Sequence, residues 1–405
     1  MLTAFFLVAA LLVVQSLFVL RDGPRFLAFV RRRLREPPGT YAPLATLICP
    51  CKGLDSDLET NLRCLFAQDY PDPAGGGPGL EILLVVARED DPARPICEKL
   101  IAEGRRPARL VIAGLPSGRG EKVNNLLAGV AAARPESEVF VFADSDGRPG
   151  PGWVRTLVSG LAGEQIGASS TFRWYVPEPS FLSGLQAAWN APAVTYMGKP
   201  SRNFLWGGGM AIRRKTFYEA NVPRYWTGCI SDDLMMTRAL SDAGMKIAFL
   251  PDCLVATHHR PRWGELLEWT TRQILLIRVY EPRLWWPAMG MNFFYCAVLL
   301  FGFVLAAAQL DVSPWTSALI LVTLAGIAAL GIATGIFRFQ AVLLLLPEHA
   351  EALRRTWWSP TLQAALVPWL MSINFIGSAL TRRMTWRGVT YVLVSPWETR
   401  IEREA

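Results

Sequence analysis

Charge is scarce in this chain of 405 residues: only 19% is Asp, Glu, Lys or Arg, against 51% hydrophobic. That balance excludes an ordinary soluble protein. Residues 1–20, 284–310, 312–337 and 359–381 carry no charge at all, and each is near the roughly 20 residues that span a bilayer. Four spans are the simplest count. The first lacks a basic start and has no small-x-small cleavage site before Arg21-Asp22-Gly23-Pro24, so it reads as an anchor and not as a signal peptide.

Other absences narrow the class further. The 7 cysteines are an odd number, and apart from Cys49 and Cys51 they are scattered, which gives neither a disulfide framework nor a zinc spacing. Buried thiols in a reducing cytoplasm fit better. No Lys/Arg stripe interleaved with aromatics is present, which excludes nucleic acid as a partner. No internal repeat appears, and the one low-complexity tract is the glycine loop Pro71 to Gly79. Neither that loop nor Gly118-Arg119-Gly120-Glu121-Lys122 ends in the Gly-Lys-Ser/Thr of a nucleotide P-loop.

What is abundant is arginine beside the membrane. Arg21, Arg25, Arg31, Arg32, Arg33 and Arg35 follow the first span, and the positive-inside rule then places the large polar region in the cytoplasm. The net charge of +7 comes largely from such residues, which suit anionic lipid head groups. Glu36-Pro37-Pro38-Gly39 reads as a linker, followed by a domain over residues 40–282.

In that domain the apolar runs Leu44–Cys49, Glu81–Ala87, Leu110–Ala113 and Val139–Ala143 alternate with helical stretches near Asp57–Ala67, Pro92–Ala102 and Glu121–Ala133. Alternation of this kind predicts an α/β fold with a mostly parallel sheet. An amphipathic helix over Trp263–Tyr280 leads to a membrane region at 284–381, with about three helices, and a tail at 382–405. Trp263, Trp269, Trp285 and Trp286 suit a membrane interface. Three spans after a cytoplasmic domain place Arg382, Arg383 and Arg387 outside, against the charge rule. Either Gln340–Leu346 adds a crossing with its neighbours, or the tail sits at the outer face.

Chemistry is concentrated at the predicted strand ends. Asp144-Ser145-Asp146 closes the run Val139–Ala143; alternate strand residues face one way, so both acids can share a divalent cation completed by phosphate oxygens. Lys52-Gly53 follows the first strand, Glu89-Asp90-Asp91-Pro92 the second, and Lys122-Val123-Asn124-Asn125 opens a helix after the third. Together these form a crevice in which an acid accepts from a base N–H, while a Lys and a helix amino terminus favour phosphate. Asp232-Asp233 begins a helix, where Asp233 is a candidate general base. His258-His259 reads as a metal ligand or an exposed turn, and Gly207-Gly208-Gly209 as a close approach to ligand or a tight turn.

The order of these elements resembles the glycosyltransferase family 2 type of membrane enzyme, and most nearly the ceramide glucosyltransferases. The resemblance covers nearly the whole chain. It rests on Cys51-Lys52-Gly53, Asp90-Asp91-Pro92-Ala93, Lys122-Val123-Asn124-Asn125-Leu126, Asp144 with Asp146, Asp232-Asp233, and the tail Thr385-Trp386-Arg387-Gly388-Val389-Thr390-Tyr391. One signature departs. Where such enzymes carry Gln-x-x-Arg-Trp, this chain has Trp269-Thr270-Thr271-Arg272-Gln273, which keeps only the arginine. In the acidic turn Arg88-Glu89 stands where relatives often carry another acid, leaving Glu89 or Asp90 for uracil.

The resemblance implies a GT-A-like domain and an inverting, metal-dependent hexosyltransferase. It implies a UDP-sugar donor, glucose as the sugar, and a lipid hydroxyl as acceptor. Mg²⁺ or Mn²⁺ is expected at Asp144 and Asp146, Arg272 and Lys122 on the diphosphate, and Lys52, Glu89, Asp90, Asn124, Asn125 and Asp144 around the nucleotide. Asp233 is the expected base, with Asp232 beside it. A multi-pass protein of a bacterial inner membrane is implied, its catalytic domain cytoplasmic. A processive polysaccharide synthase would need more helices and an intact signature, and a non-catalytic nucleotide-sugar scaffold would have no reason to keep Asp144, Asp146 and Asp233.

Overall fold

A computed structural model describes residues 1–37, 39–55, 57–72, 78–199 and 202–402. Pro38 of the linker and most of the glycine tract lie outside the described residues. The chain opens with helix α1 (Leu2–Arg33), followed by β1 (Ala45–Pro50), α2 (Leu58–Phe66), β2 (Leu80–Val86), α3 (Arg94–Ala102), β3 (Ala108–Ile112), α4 (Glu121–Ala132) and β4 (Val139–Ala143). Next come α5 (Trp153–Ser159), β5 (Ile166–Ser170), β6 (Arg173–Tyr175), α6 (Phe181–Tyr196), β7 (Gly209–Arg213), α7 (Arg214–Glu219), α8 (Val222–Tyr225), α9 (Asp232–Asp242), β8 (Lys246–Phe249) and β9 (Val255–Thr257). Helices α10 (Trp263–Tyr280), α11 (Pro282–Gln309), α12 (Pro314–Leu345), α13 (Ala350–Thr356), α14 (Trp358–Gln363) and α15 (Val367–Leu380) precede β10 (Arg383–Trp386), β11 (Val389–Ser395) and β12 (Glu398–Glu402).

The chain divides into two compact units. One holds residues 33–174, 196–258 and 382–405, and is built on a seven-stranded sheet of order β3-β2-β1-β4-β7-β5-β8. Its β1, β2, β3 and β4 are parallel, while β7 runs antiparallel to β4 and β5. The expected α/β fold with a mostly parallel sheet is borne out. Every residue of β2 and β4 is buried, as expected of parallel strands covered by helices on both faces. The chain reverses direction across the sheet between β1 and β4, so a crevice opens outside their carboxyl ends.

Because β7 is antiparallel and Ala143 pairs with Gly209, Gly207 and Gly208 enter at this same edge. The tail belongs to this unit as well: β10, β11 and β12 form a three-stranded antiparallel sheet. The other unit comprises residues 1–32, 175–195 and 259–381. Helix α1 continues through the arginine collar to Arg33, since Arg and Leu are good helix formers. Four stretches among the described residues are long and apolar enough to cross a membrane: α1, α11, α12 and Trp358–Leu380. The last is broken into α14, a 3₁₀ turn over Ala364–Leu366, and α15. Residues 340–345 are the end of α12.

Candidate active site

Charged side chains of several elements meet at the carboxyl end of β4. The Lys122 ammonium, in the first turn of α4, lies 2.8 Å from Asp144 Oδ1 and 3.2 Å from Asp232 Oδ2, the second contact lacking hydrogen-bond geometry. The guanidinium of Arg173, in β6, donates to Asp144 Oδ2 at 2.9 Å and to Asp146 Oδ2 at 3.0 Å, and lies 4.9 Å from the ring centre of Trp206. Two acids on alternate positions thus converge on one positive charge. Burial alone would raise the Asp144 pKa, but Lys122 and Arg173 together hold it below the usual carboxylate value.

Asp232 behaves in the opposite sense. It is 3% exposed, and burial, reinforced by Asp233 and Asp144 and only partly relieved by Lys122, pushes its pKa up to about 7. Asp233 is half-buried: its Oδ1 accepts from Ser231 Oγ at 2.6 Å and Leu234 N at 2.8 Å, its Oδ2 from Gly207 N at 3.1 Å. Gly207 and Gly208 explain how so many groups fit. A Cβ on Gly207 would stand 2.4 Å from Asp232 Oδ2 and 2.6 Å from Lys122 Nζ, and one on Gly208 would stand 2.6 Å from Asp144 Oδ2. They permit close approach of the protein's own charged side chains to backbone.

Lys52 extends to Glu121 Oε2 at 2.8 Å, and Asn124 donates to the Gly114 carbonyl at 3.0 Å. Asn125 is 2% exposed. Glu89 and Asp90 are exposed, with Asp90 held by Arg88 at 2.7 Å. The neighbouring Asp91 is the acid that links loops, accepting from Gly53 N at 2.8 Å and Ala93 N at 2.9 Å. Arg272 lies on α10 in the other unit, where Trp269 packs edge-on to Trp189 and Tyr175 with ring centres 5.0 and 5.4 Å apart. His258 and His259 fall in different units, and the His259 ring meets Gln186 Oε1 at 3.0 Å. Among the described residues no group of three or more His, Cys, Asp or Glu stands where it could hold a metal, and all seven cysteines are free.

Sequence reasoning missed Arg173 and Asp55 as members of this edge, and it singled out Arg387 in the tail without placing it here. The signal for Arg173 was a charge inside the apolar stretch Phe172-Arg173-Trp174-Tyr175, of which all four residues are buried.

Known proteins resemble this chain to different extents. Over 109 residues it is 31% identical to a ceramide glucosyltransferase of Komagataella phaffii, a match that covers 26% of this chain and only 20% of that relative's length. A solved mannosyltransferase of Pyrobaculum calidifontis, in complex with GDP-Man and Mn²⁺, is 18% identical with a TM-score of 0.49, covering 94% of this chain and 98% of its own. GalNAc-T7, solved with UDP, GalNAc and Mn²⁺, is 12% identical with a TM-score of 0.37 over 58% of this chain and 48% of its own. The model of glycosyl transferase family 21 matches residues 4–399, from the first helix through the acidic edge to the last strand, and the chain belongs to that family.

Proposed function

We propose that this glycosyltransferase moves glucose from a UDP-sugar to the hydroxyl of a ceramide-like membrane lipid, with inversion at the sugar carbon. The observation that carries the reading is a single lysine, Lys122, shared by Asp144 at the strand end and Asp232 at the helix start of a family 21 chain. Asp144 and Asp146 would hold Mg²⁺ or Mn²⁺. The fit is chemical: such cations take one or two carboxylates and complete their shell with substrate phosphates, and here both carboxylates already face one positive charge on Arg173. Bound there, the cation would neutralise charge on the leaving diphosphate.

The protein's own groups account for the rest. Lys122 faces the diphosphate and stabilises the charge that gathers as the sugar C–O bond breaks. Asp233, the more accessible acid of its pair, takes the proton of the acceptor hydroxyl while that oxygen forms the new bond to the sugar, and UDP departs. Asp232, buried against Lys122, keeps the ammonium aimed at the crevice. Arg272 is assigned to the diphosphate, and Lys52, Asn124, Asn125 and one of Glu89 or Asp90 to the nucleotide, on the resemblance of their motifs.

The tail's place in the α/β unit also supports a topology. The chain leaves that unit before α10 and re-enters it after α15, so it crosses the membrane an even number of times between. Helices α11 and α12 are the crossings. The segment Trp358–Leu380 is broken by a 3₁₀ turn into α14 and the 14-residue α15, and on this reading it dips without crossing. Arg354, Arg355, Arg382 and Arg383 then share the cytoplasmic side with Arg31–Arg33, which satisfies the charge rule. Impermeant maleimide applied from outside should label Val312→Cys and spare Arg400→Cys; equal labelling would refute two crossings.

The transferase reading is tested with purified protein, labelled UDP-glucose and a panel of dispersed lipids, with products resolved by chromatography. A glycolipid carrying one sugar is expected. A long water-soluble polymer formed without lipid would refute it.

A further inference from the structure

The tail motif Trp386-Arg387-Gly388 has no part in the chemistry above, yet it is built at some cost. Trp386 pairs with Val389 across a two-residue turn in which Arg387 and Gly388 have φ of 49° and 75°. Such turns favour Asn, Asp or Gly at both central positions. An arginine in the left-handed region is strained, and strain of this kind points to a use for the side chain.

Its guanidinium reaches the loop after β1, donating to the Lys52 carbonyl at 2.7 Å and to Asp55 Oδ2 at 2.7 Å. The same Asp55 oxygen accepts from Ser145 Oγ at 3.2 Å, and Ser145 stands between Asp144 and Asp146. Burial opposes the Arg387 charge, but the bond to Asp55 and the charges of Asp55, Asp146 and Asp144 outweigh it, so the guanidinium pKa is raised. Behind the turn, Tyr391 is 1% exposed, and its hydroxyl accepts from the Glu121 N–H at the start of α4, the helix that carries Lys122. At the far end of the tail sheet, Gly228 leaves room for the Trp397 carbonyl, which a Cβ would meet at 2.0 Å. The tail therefore grips both walls of the crevice, the β1 loop through Arg387 and the α4 start through Tyr391.

We propose that Arg387 is a positioning residue for donor binding: through Lys52 and Asp55 it holds the β1 loop against the strand-end acids, making the tail one wall of the nucleoside diphosphate site. The inference rests on the nucleotide-sugar reading above. Removing a charge-assisted contact of this kind lets the loop open and weakens the donor more than it slows transfer.

The test uses the full chain in detergent, with UDP titrated calorimetrically in the presence of Mn²⁺, donor KM and kcat, and thermal unfolding. Arg387→Asn suits the left-handed turn and keeps the hairpin. It should weaken UDP binding and raise donor KM roughly 10- to 100-fold, with kcat little changed and the melting midpoint no lower. Arg387→Lys should recover part of the affinity. Asp55→Asn should repeat the loss, and the double variant should be no worse than either single one. Wild-type UDP affinity in Arg387→Asn, or a loss that tracks a lowered melting midpoint, would overturn the proposal while leaving the donor reading intact. A wild-type protein that binds no nucleoside diphosphate would overturn both.

Discussion

The end of β4 and the start of α9 each present two acids, and their surroundings prepare them for opposite tasks. Asp144 and Asp146 are bridged by Arg173, with Lys122 also on Asp144, so two cations favour the charged form of Asp144. Asp232 lies 3.2 Å from Lys122, is buried and is pushed up to about 7, while Asp233 accepts from two backbone N–H groups and a serine. On the reading proposed above, the first pair would exchange one cation for another. The second would handle a proton. Identical side chains a few ångströms apart acquire different chemistry from burial and neighbours alone.

The sharpest break of this comparison removes a strand-end acid. Asp146→Ala should reduce transfer to background while the protein remains monodisperse in detergent, and chelation should silence the wild type until Mn²⁺ is restored. Initial rates with labelled donor measure both. Full activity in excess EDTA would remove metal from the account and leave the protein's own cations, Arg173 and Lys122 first, to hold the diphosphate.

At the other pair the effect should be kinetic and not a loss of donor. Asp233→Asn is expected to slow turnover about 10² to 10⁴-fold with UDP affinity retained. Should Asp232→Asn be the inactive variant and Asp233→Asn the active one, the roles within the pair are reversed. A smaller effect is expected of Gly207→Ala, whose Cβ would press on Asp232 and Lys122. Forcing that contact should cost roughly 1–3 kcal/mol of stability, measured by chemical unfolding.

Much of this was legible in the sequence for a physical reason. Strands β1, β2 and β4 are largely apolar because both sheet faces are covered, and α10 begins and ends where its amphipathic pattern does, at Trp263 and Tyr280. Lys52, Lys122, Asp144, Asp146, Asp232 and Asp233 could be placed near one edge because they terminate or start such elements. What escaped was set by contacts between distant residues: Arg173 with the β4 acids, Arg387 with Asp55, and the return of the tail to the α/β unit. Ion pairs across long separations leave no periodic trace. The short antiparallel strand β7 was equally silent, so the glycines before it could be read as a turn or a close approach until their pairing with β4 was known.

The subtlest difference between the pairs is in how stability follows pH. Asp232 holds its proton more tightly folded than unfolded, its pKa rising from an ordinary 3.8 to about 7. Its favourable contribution is therefore complete below about pH 4 and is lost as pH rises through 7. Asp144 is displaced the other way, so its contribution is present above the ordinary carboxylate range and disappears only in stronger acid. Melting midpoints of wild type and Asp232→Asn, taken at intervals from pH 4.5 to 8, should diverge up to about pH 7 and then level off: the wild type loses ground to the variant because Asp232 ionises when unfolded while the folded carboxyl keeps its proton until about pH 7. A constant difference across that range would mean that Lys122 neutralises Asp232 fully, and the two pairs would no longer differ in kind.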